Sequence, residues 1–441
     1  MDLFIVKGKQ KLSGEVKVSS AKNSVLKILA ASLLCQKKVF LKEVPQLQDV
    51  KTMLDLLRSM GVLVHGESTD NNEISLDASI IEKPVASYEQ VKTMRASILV
   101  LAPLLARCKR AKVSLPGGCA IGARPIDLHL KGLKKMGAKI QLRGGYVYAR
   151  CEQLQGAKII LPFPSVGATE TLLMAAVCAV GETTIENAAR EPEIEDLAHF
   201  LRKMSGVKIQ GEGTPIIRIQ GCGGVSEFNE LKTLHFQAMG DRIEAATFII
   251  AAVMTQSEIT VKGFNPHHIR SVLDNLTQMG AKLEEFTDGV KVKVQQDQLQ
   301  ALQIDTAPYP GFPTDVQAQM MALLCLVPGS SMITEHIFEN RFMHVPELQR
   351  MGAEITIRGS SAVIKGVEQM YGAQVMCTDL RASAALLLAA LCAEGQSVIR
   401  RVYHIDRGYQ QIDQKLSGLG AKIKRMSQQQ FKESEGEIDH E

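Results

Sequence analysis

Apolar positions along the chain follow two alternating patterns, and the alternation repeats. An apolar stretch of helical length is followed by a polar or glycine turn and then by a segment alternating apolar and polar residues. Copies occur at 23–44, 97–116, 168–187, 244–263, 317–336 and 383–402. The helical parts are apolar nearly all round, which predicts burial on every side. The alternating parts predict half-buried strands. A second helix in each copy, such as VKTMLDLLRSMG at 50–61 or IRSVLDNLTQMG at 269–280, is amphipathic. It ends in a recurring phrase: MGVLV at 60–64, MGAKI at 136–140, MSGVKI at 204–209, MGAKL at 279–283, MGAEI at 351–355 and LGAKI at 419–423. The glycine predicts a left-handed helix terminus, and the residues after it begin a strand. The spacing, about 70 residues, is much longer than a solenoid repeat.

Six α/β units exceed what one core accommodates, since single cores stop growing near about 250–300 residues. Three units per domain is the simplest division. The sixth copy ends near the C-terminus, and residues 1–20 form strand-like sequence outside the first helix. The N-terminal strand is therefore expected to complete the last domain. This places one domain at 21–239 and the other at 1–20 with 240–441, joined by crossings near 20 and 240. A cleft between domains would be a favoured place for a small ligand. The last residues, from about 427, are polar and charged and are expected to be a disordered tail.

Composition narrows the class. The chain has 441 residues, 45% apolar and 22% charged, with 51 basic and 47 acidic side chains for a net charge of +4. That balance argues against a nucleic-acid partner. No apolar run reaches the roughly 18 residues of a membrane span, so no membrane partner is expected. The N-terminus lacks the pattern of a signal peptide, and the nine cysteines show no CxxC pair. A cytoplasmic protein with reduced thiols is expected. Cys35, Cys178, Cys325 and Cys392 fall in apolar helical stretches and read as core filling. No metal-ligand spacing, GxGxxG or Walker loop is present, so no metal or cofactor is expected.

Several polar segments are not required by the periodicity. Pro116-Gly117-Gly118-Cys119-Ala120-Ile121-Gly122-Ala123-Arg124-Pro125 sets a thiol among three glycines with a guanidinium five residues on. A thiol beside a guanidinium ionises more readily and can serve as nucleophile or proton donor; a turn with an idle cysteine fits the same residues. Lys22 and Asn23, Arg95, and Asp379 with Arg381 and Ser383 lie at the starts of three core helices. Helix N-termini attract anions, although Ser, Asn and Asp there are also ordinary caps. If these starts converge, they form a cationic site for phosphate and carboxylate groups. Asp315 precedes the fifth core helix, where a cap is the plain alternative. The segments Glu339–His344 and His404–Tyr409 concentrate ionisable groups in loop-like sequence.

Taken together these phrases resemble one family, the UDP-N-acetylglucosamine enolpyruvyl transferases, 1-carboxyvinyltransferases that begin peptidoglycan precursor synthesis. The resemblance runs through SSAKN (19–23), PGGCAIGARPIDLH (116–129), PSVGAT (164–169), ENAAREPEI (186–194), DRIEAATF (241–248), FPTDVQAQ (312–319), ENRFMHVPEL (339–348), TDLRAS (378–383) and HIDRGY (404–409). It implies a two-domain inside-out α/β barrel, three units per domain, a fold shared with the sister enzyme acting on shikimate 3-phosphate. It implies transfer of the enolpyruvyl group of phosphoenolpyruvate to the 3′-hydroxyl of the nucleotide sugar, without cofactor, by a monomer. Cys119 would be the general acid toward the phosphoenolpyruvate methylene and the thiol alkylated by fosfomycin. Lys22, Asn23, Arg124 and Arg407 would hold phosphoenolpyruvate. Asn23, Arg95, Arg124, Pro125, Ile126, Asp127, Leu128, Ser165, Val166, Gly167, Asp315 and Ile337 would line the nucleotide-sugar site. Asp315 would accept the 3′-hydroxyl proton, and Asp379 and Arg381 would shape the cleft. The family commonly carries a basic residue before its Ser-Val-Gly; here Phe163-Pro164 precede Ser165.

Overall fold

A computed structural model describes residues 2–66, 72–92, 94–115, 125–228, 233–293 and 298–438. Within them lie six four-stranded sheets of one design. A strand pairs parallel with the strand that follows the core helix; that strand pairs antiparallel with a third, and the third with a fourth. Lys158–Ile160, Val180–Glu186, Ile216–Cys222 and Lys208–Gln210 are one example. The core helices are Lys22–Ala31, Leu101–Cys108, Val166–Ala176, Arg242–Met254, Gln317–Leu324 and Leu380–Cys392. In Arg242–Met254 all residues are buried, as an all-round apolar helix requires. The glycines of the recurring phrase, Gly61, Gly137, Gly206, Gly280, Gly352 and Gly420, all have positive φ, between 71° and 103°. Only a residue without Cβ adopts this at little cost, and each ends an amphipathic helix.

The second core helix departs from the expected single stretch. Arg95–Val100 is a 3₁₀ turn, and α-helix begins at Leu101. Pro103 accounts for this, because a proline without N–H is tolerated only in the first turn. The tail also departs from expectation. Residues from about 427 do not fray at once: Gln428–Ile438 is helical, and Phe431, 5% exposed, packs with Leu3 and Val398.

The described residues divide into two units, one running to Ser19 and resuming at Gly240, the other from Ser20 to Met239. Each has three sheets and its own apolar core, with no core residue shared. The strand Asp2–Lys7 inserts between Gln396–Arg400 and Ile423–Ser427, becoming the third strand of the last sheet. The crossings carry an exchange. Ser13–Lys17 precedes the helix Lys22–Ala31 in sequence, yet lies parallel to Glu258–Lys262 of the other unit's series. Thr233–Gln237 precedes the helix Arg242–Met254, yet lies parallel to Lys38–Lys42. Each unit thus closes its sheet with the strand that leads into the other unit's helix.

Candidate functional site

The unit from Ser20 to Met239 gathers its polar groups around helix starts. Lys22 is the first residue of its helix. Its ammonium, nearly buried, lies 3.2 Å from Asp49, which sits in the first turn of Gln48–Ser59. Asn23 is half-buried beside it. Ser165 caps Val166–Ala176, its hydroxyl accepting from the N–H of Ala168 at 3.4 Å and its carbonyl accepting from the Thr169 hydroxyl at 2.9 Å. Asp127 opens the helix Asp127–Lys135 and pairs with Lys131 at 2.9 Å, with Pro125 and Ile126 immediately before and Leu128 after. These segments meet at His129. A Cβ on Gly167 would lie 2.8 Å from its Nε2, so the segment Ser165–Gly167 rests directly on the imidazole. Burial and the nearby Arg95 push His129 down to about 4, with Asp127 acting in the opposite direction. The ring is neutral at physiological pH. Sequence reasoning passed over His129, although it stands two residues after Asp127 in the same motif.

A second buried group lies deeper in this unit. Lys27 and Glu170, from two core helices, form an ion pair at 3.1 Å with both side chains almost inaccessible. Desolvation pushes the Glu170 carboxyl up to about 7 against the pull of Lys27, and Glu193 and Glu191 push the same way as desolvation.

In the unit resuming at Gly240 the central carboxylate is Asp315. It does not cap the core helix: Val316 holds that position, and Pro313 that of the preceding 3₁₀ turn Thr314–Val316, neither with a side-chain bond. Instead Oδ1 accepts from Nη2 of Arg341 at 2.8 Å and Oδ2 from Nη2 of Arg381 at 3.1 Å. Both arginines have 4% of their side chains exposed. Such double charge-assisted bonding fixes the carboxylate plane. Arg381 lies over the ring of Tyr409, 5.4 Å from its centroid. The Tyr409 hydroxyl meets those of Thr247 at 2.9 Å and the Gln319 amide at 3.1 Å. Gln319 also donates to the Asp315 carbonyl at 3.0 Å. Asp379 is a true cap, accepting from the N–H groups of Arg381 and Ala382 at 2.8 and 3.1 Å. The Glu335 carboxylate accepts from the N–H groups of Ile337 and Phe338 at 2.8 and 3.3 Å and from the Thr306 and Thr314 hydroxyls. Arg407 ends the 3₁₀ segment Val402–Arg407 and helps to lower the pKa of His404, after burial. His344 is buried and pushed down to about 4 by that burial.

Cys119 and Arg124 lie outside the described residues. All eight described cysteines are free, and burial raises the pKa of each; Cys325, Cys377 and Cys392 are pushed up to about 12. None of these eight has the lowered pKa of a reactive thiol. No cluster of three or more His, Cys, Asp or Glu able to hold a metal occurs among the described residues. No described helix is long and apolar enough to cross a membrane.

Comparison with known proteins places this six-unit α/β chain among the enolpyruvyl transferases. Residues 6–416 match the family described as EPSP synthase (3-phosphoshikimate 1-carboxyvinyltransferase), and the chain belongs to that family. Curated relatives include UDP-N-acetylglucosamine 1-carboxyvinyltransferase 2 of Carboxydothermus hydrogenoformans, 52% identical over 97% of this chain and 100% of that protein. The UDP-N-acetylglucosamine 1-carboxyvinyltransferase of Trichlorobacter lovleyi is 51% identical over 97% of this chain and 100% of its own length. Among solved structures, the enolpyruvyl transferase NikO of Streptomyces tendae superposes with a TM-score of 0.86 at 24% identity, covering 96% of this chain and 99% of that one. An EPSP synthase of Acinetobacter baumannii gives 0.74 at 19% identity, over 97% and 100% of the two chains. These two likenesses establish the fold.

Proposed function

We propose that this chain is a UDP-N-acetylglucosamine 1-carboxyvinyltransferase: it moves the enolpyruvyl group of phosphoenolpyruvate to the sugar 3′-hydroxyl and releases phosphate, supplying peptidoglycan precursor synthesis in the cytoplasm. The observation that carries the reading is identity of about one residue in two, end to end, with relatives of that name. The sister acceptor, shikimate 3-phosphate, is disfavoured, since the EPSP synthase structure shares only 19% identity.

The chemistry assigns a task to each group. A proton from the Cys119 thiol adds to the methylene carbon of phosphoenolpyruvate, leaving cationic character at C2. The 3′-oxygen forms a bond to C2 as its proton passes to Asp315. The C2–O bond to phosphate then breaks, phosphate leaves, and the new methyl group returns a proton to the Cys119 thiolate, restoring both the double bond and the thiol. Arg341 and Arg381 fix the Asp315 carboxylate, and a fixed base needs no reorganisation as the proton moves. Lys22, Asn23, Arg124 and Arg407 hold the phosphate and carboxylate of phosphoenolpyruvate, where cations stabilise the departing phosphate. Arg95, Pro125, Ile126, Asp127, Leu128, Ser165, Val166, Gly167 and Ile337 bind the nucleotide sugar; Asp379 and Arg381 shape the site.

The test is phosphate release on mixing the two substrates. Wild type turns over; Asp315→Ala lowers kcat by about 10²–10⁴-fold, and Cys119→Ala removes turnover or cuts it deeply. Fosfomycin adds its mass to the peptide bearing Cys119. Release of phosphate from phosphoenolpyruvate with shikimate 3-phosphate as acceptor and none with the nucleotide sugar, or labelling of another cysteine with turnover intact in Cys119→Ala, refutes the assignment.

A further inference from the structure

The six sheets are built alike, so each is a control for the others. Cross-strand charges on the outer faces of three of them are paired, and on a fourth the charge is held by an amide. Lys262 meets Glu15 at 2.6 Å and Lys291 meets Glu258 at 2.6 Å on one sheet. Lys365 meets Glu354 at 2.9 Å on another and Lys158 meets Glu186 at 2.8 Å on a third. On a fourth, Arg400 is held by the Gln374 amide oxygen at 3.0 Å.

The sheet formed by Val85–Ala86, Arg110–Ser114, Tyr146–Arg150 and Lys139–Arg143 breaks this rule. Its register puts Arg110 opposite Arg150 and Arg150 opposite Lys139, three cations side by side. In the next row Lys112 faces Tyr148 and Tyr148 faces Gln141; in the third, Tyr146 faces Arg143. No carboxylate stands on these rows, and among the described residues none forms an ion pair with any of the five cations. Like charges directly opposite one another destabilise a sheet, so the arrangement costs stability without a structural return. Lysines on an edge strand can serve to discourage aggregation. That accounts for Lys139 but not for Arg110 and Arg150, which lie on interior strands.

The edge itself adds a second observation. Lys139–Arg143 is the last strand in its sheet, with no neighbour beyond it among the described residues. On the face opposite the cations it carries Leu142, 60% exposed. An open strand edge recruits extended peptides by main-chain pairing, with side-chain complementarity setting the choice. Same-face residues of an added strand would recur every 6.8 Å or so, so that every second one would stand beside Lys139 and Arg143, with Gln141 between them. The alternate residues would cover Leu142. Nucleobases are a poorer fit, because Lys112 already occupies the faces of Tyr146 and Tyr148, at 4.6 and 5.4 Å from their centroids, and base binding needs those faces free.

We propose that the open strand Lys139–Arg143, with the cationic outer face of its sheet, docks an extended segment of a partner protein in which acidic and apolar residues alternate. The test uses the full chain and a fluorescein-labelled (Glu-Val)₄ peptide read by anisotropy. Wild type binds it, and raising salt weakens binding, as charge pairing at an exposed face requires. Lys139→Glu with Arg150→Glu weakens binding at least tenfold and leaves phosphate release unchanged; Leu142→Asp weakens it with the cations intact. The conservative pair Lys139→Arg with Arg150→Lys retains binding within twofold, which separates loss of charge from loss of fold. Binding unaffected by the charge reversal overturns the proposal. So does capture of single-stranded oligothymidylate or phosphatidylglycerol vesicles by this face with no binding of the peptide.

Discussion

At the scale of single residues, the polar groups inside the core helices are the informative ones. Glu170 and Lys27 are charges buried within two largely apolar core helices. Taking both charges out of water is costly, and their attraction at 3.1 Å offsets that cost only in part. The raised Glu170 carboxyl, about 7 folded against an ordinary 4.5, fixes the sign of a pH effect. The folded state holds its proton to higher pH than the unfolded chain does. Its stability contribution is therefore whole below about pH 4.5 and is lost as pH rises to about 7. Glu244 and Asp196, also raised by burial, act in the same direction. Glu170→Gln should shrink the loss of unfolding free energy between pH 5 and 7.5 by on the order of 2 kcal/mol. Urea denaturation at the two pH values checks this; an unchanged difference refutes it. The same scale shows what the sequence conceals. Lys22 was legible as a cation at a helix start, but its partner Asp49 was not, because pairing across two helices leaves no local pattern. Asp315 invited reading as a cap, and only the arrival of Arg341 and Arg381 from distant segments shows it as a clamped carboxylate.

At the scale of elements, the repeat was legible because its punctuation is steric. A left-handed helix terminus demands glycine, so six helix ends recur as six glycines. Another glycine is explained by contact alone. Gly132 sits inside the helix Asp127–Lys135, where glycine costs about 1 kcal/mol relative to alanine. A Cβ there would lie 2.4 Å from Cδ2 of Leu172 in Val166–Ala176. The close approach of these two helices sets the first turn of each, and with it Asp127, Ser165 and Gly167. Gly132→Ala should therefore destabilise by about 1–3 kcal/mol through overpacking, despite the better helix propensity. Its KM for the nucleotide sugar should rise more than its kcat falls. A melting temperature equal to or above wild type would show that Leu172 yields without cost. What sequence could not supply at this scale is the break at Pro103 and the seating of the final helix by one residue, Phe431, whose partners Leu3 and Val398 come from two other strands, one of them at the far end of the chain.

At the scale of the whole molecule, the exchange of strands decides how the chain folds. Reading in order assigns Ser13–Lys17 to the helix that follows it, since consecutive elements are usually neighbours. The structure instead gives that strand to Glu258–Lys262 and closes the other unit with Thr233–Gln237. Nothing local in either strand, SGEVK or TLHFQ, names its distant partner. The consequence is that residues 20–239 contain every strand of three sheets and the whole of one apolar core. The other unit is built from both chain ends, and its last sheet lacks its third strand until Asp2–Lys7 is placed. A fragment of residues 20–239 should therefore fold alone, with a single cooperative urea transition and native-like far-ultraviolet dichroism. A fragment beginning at residue 240 should not, because it lacks Asp2–Lys7 and Ser13–Lys17, leaving strand edges unpaired in two of its three sheets and parts of its core uncovered. Adding residues 1–19 to that second fragment through a short glycine-serine linker after 438 should restore a cooperative transition. Folding of the 240-onward fragment without those strands would mean that the exchanged pairings contribute little to the unit they close.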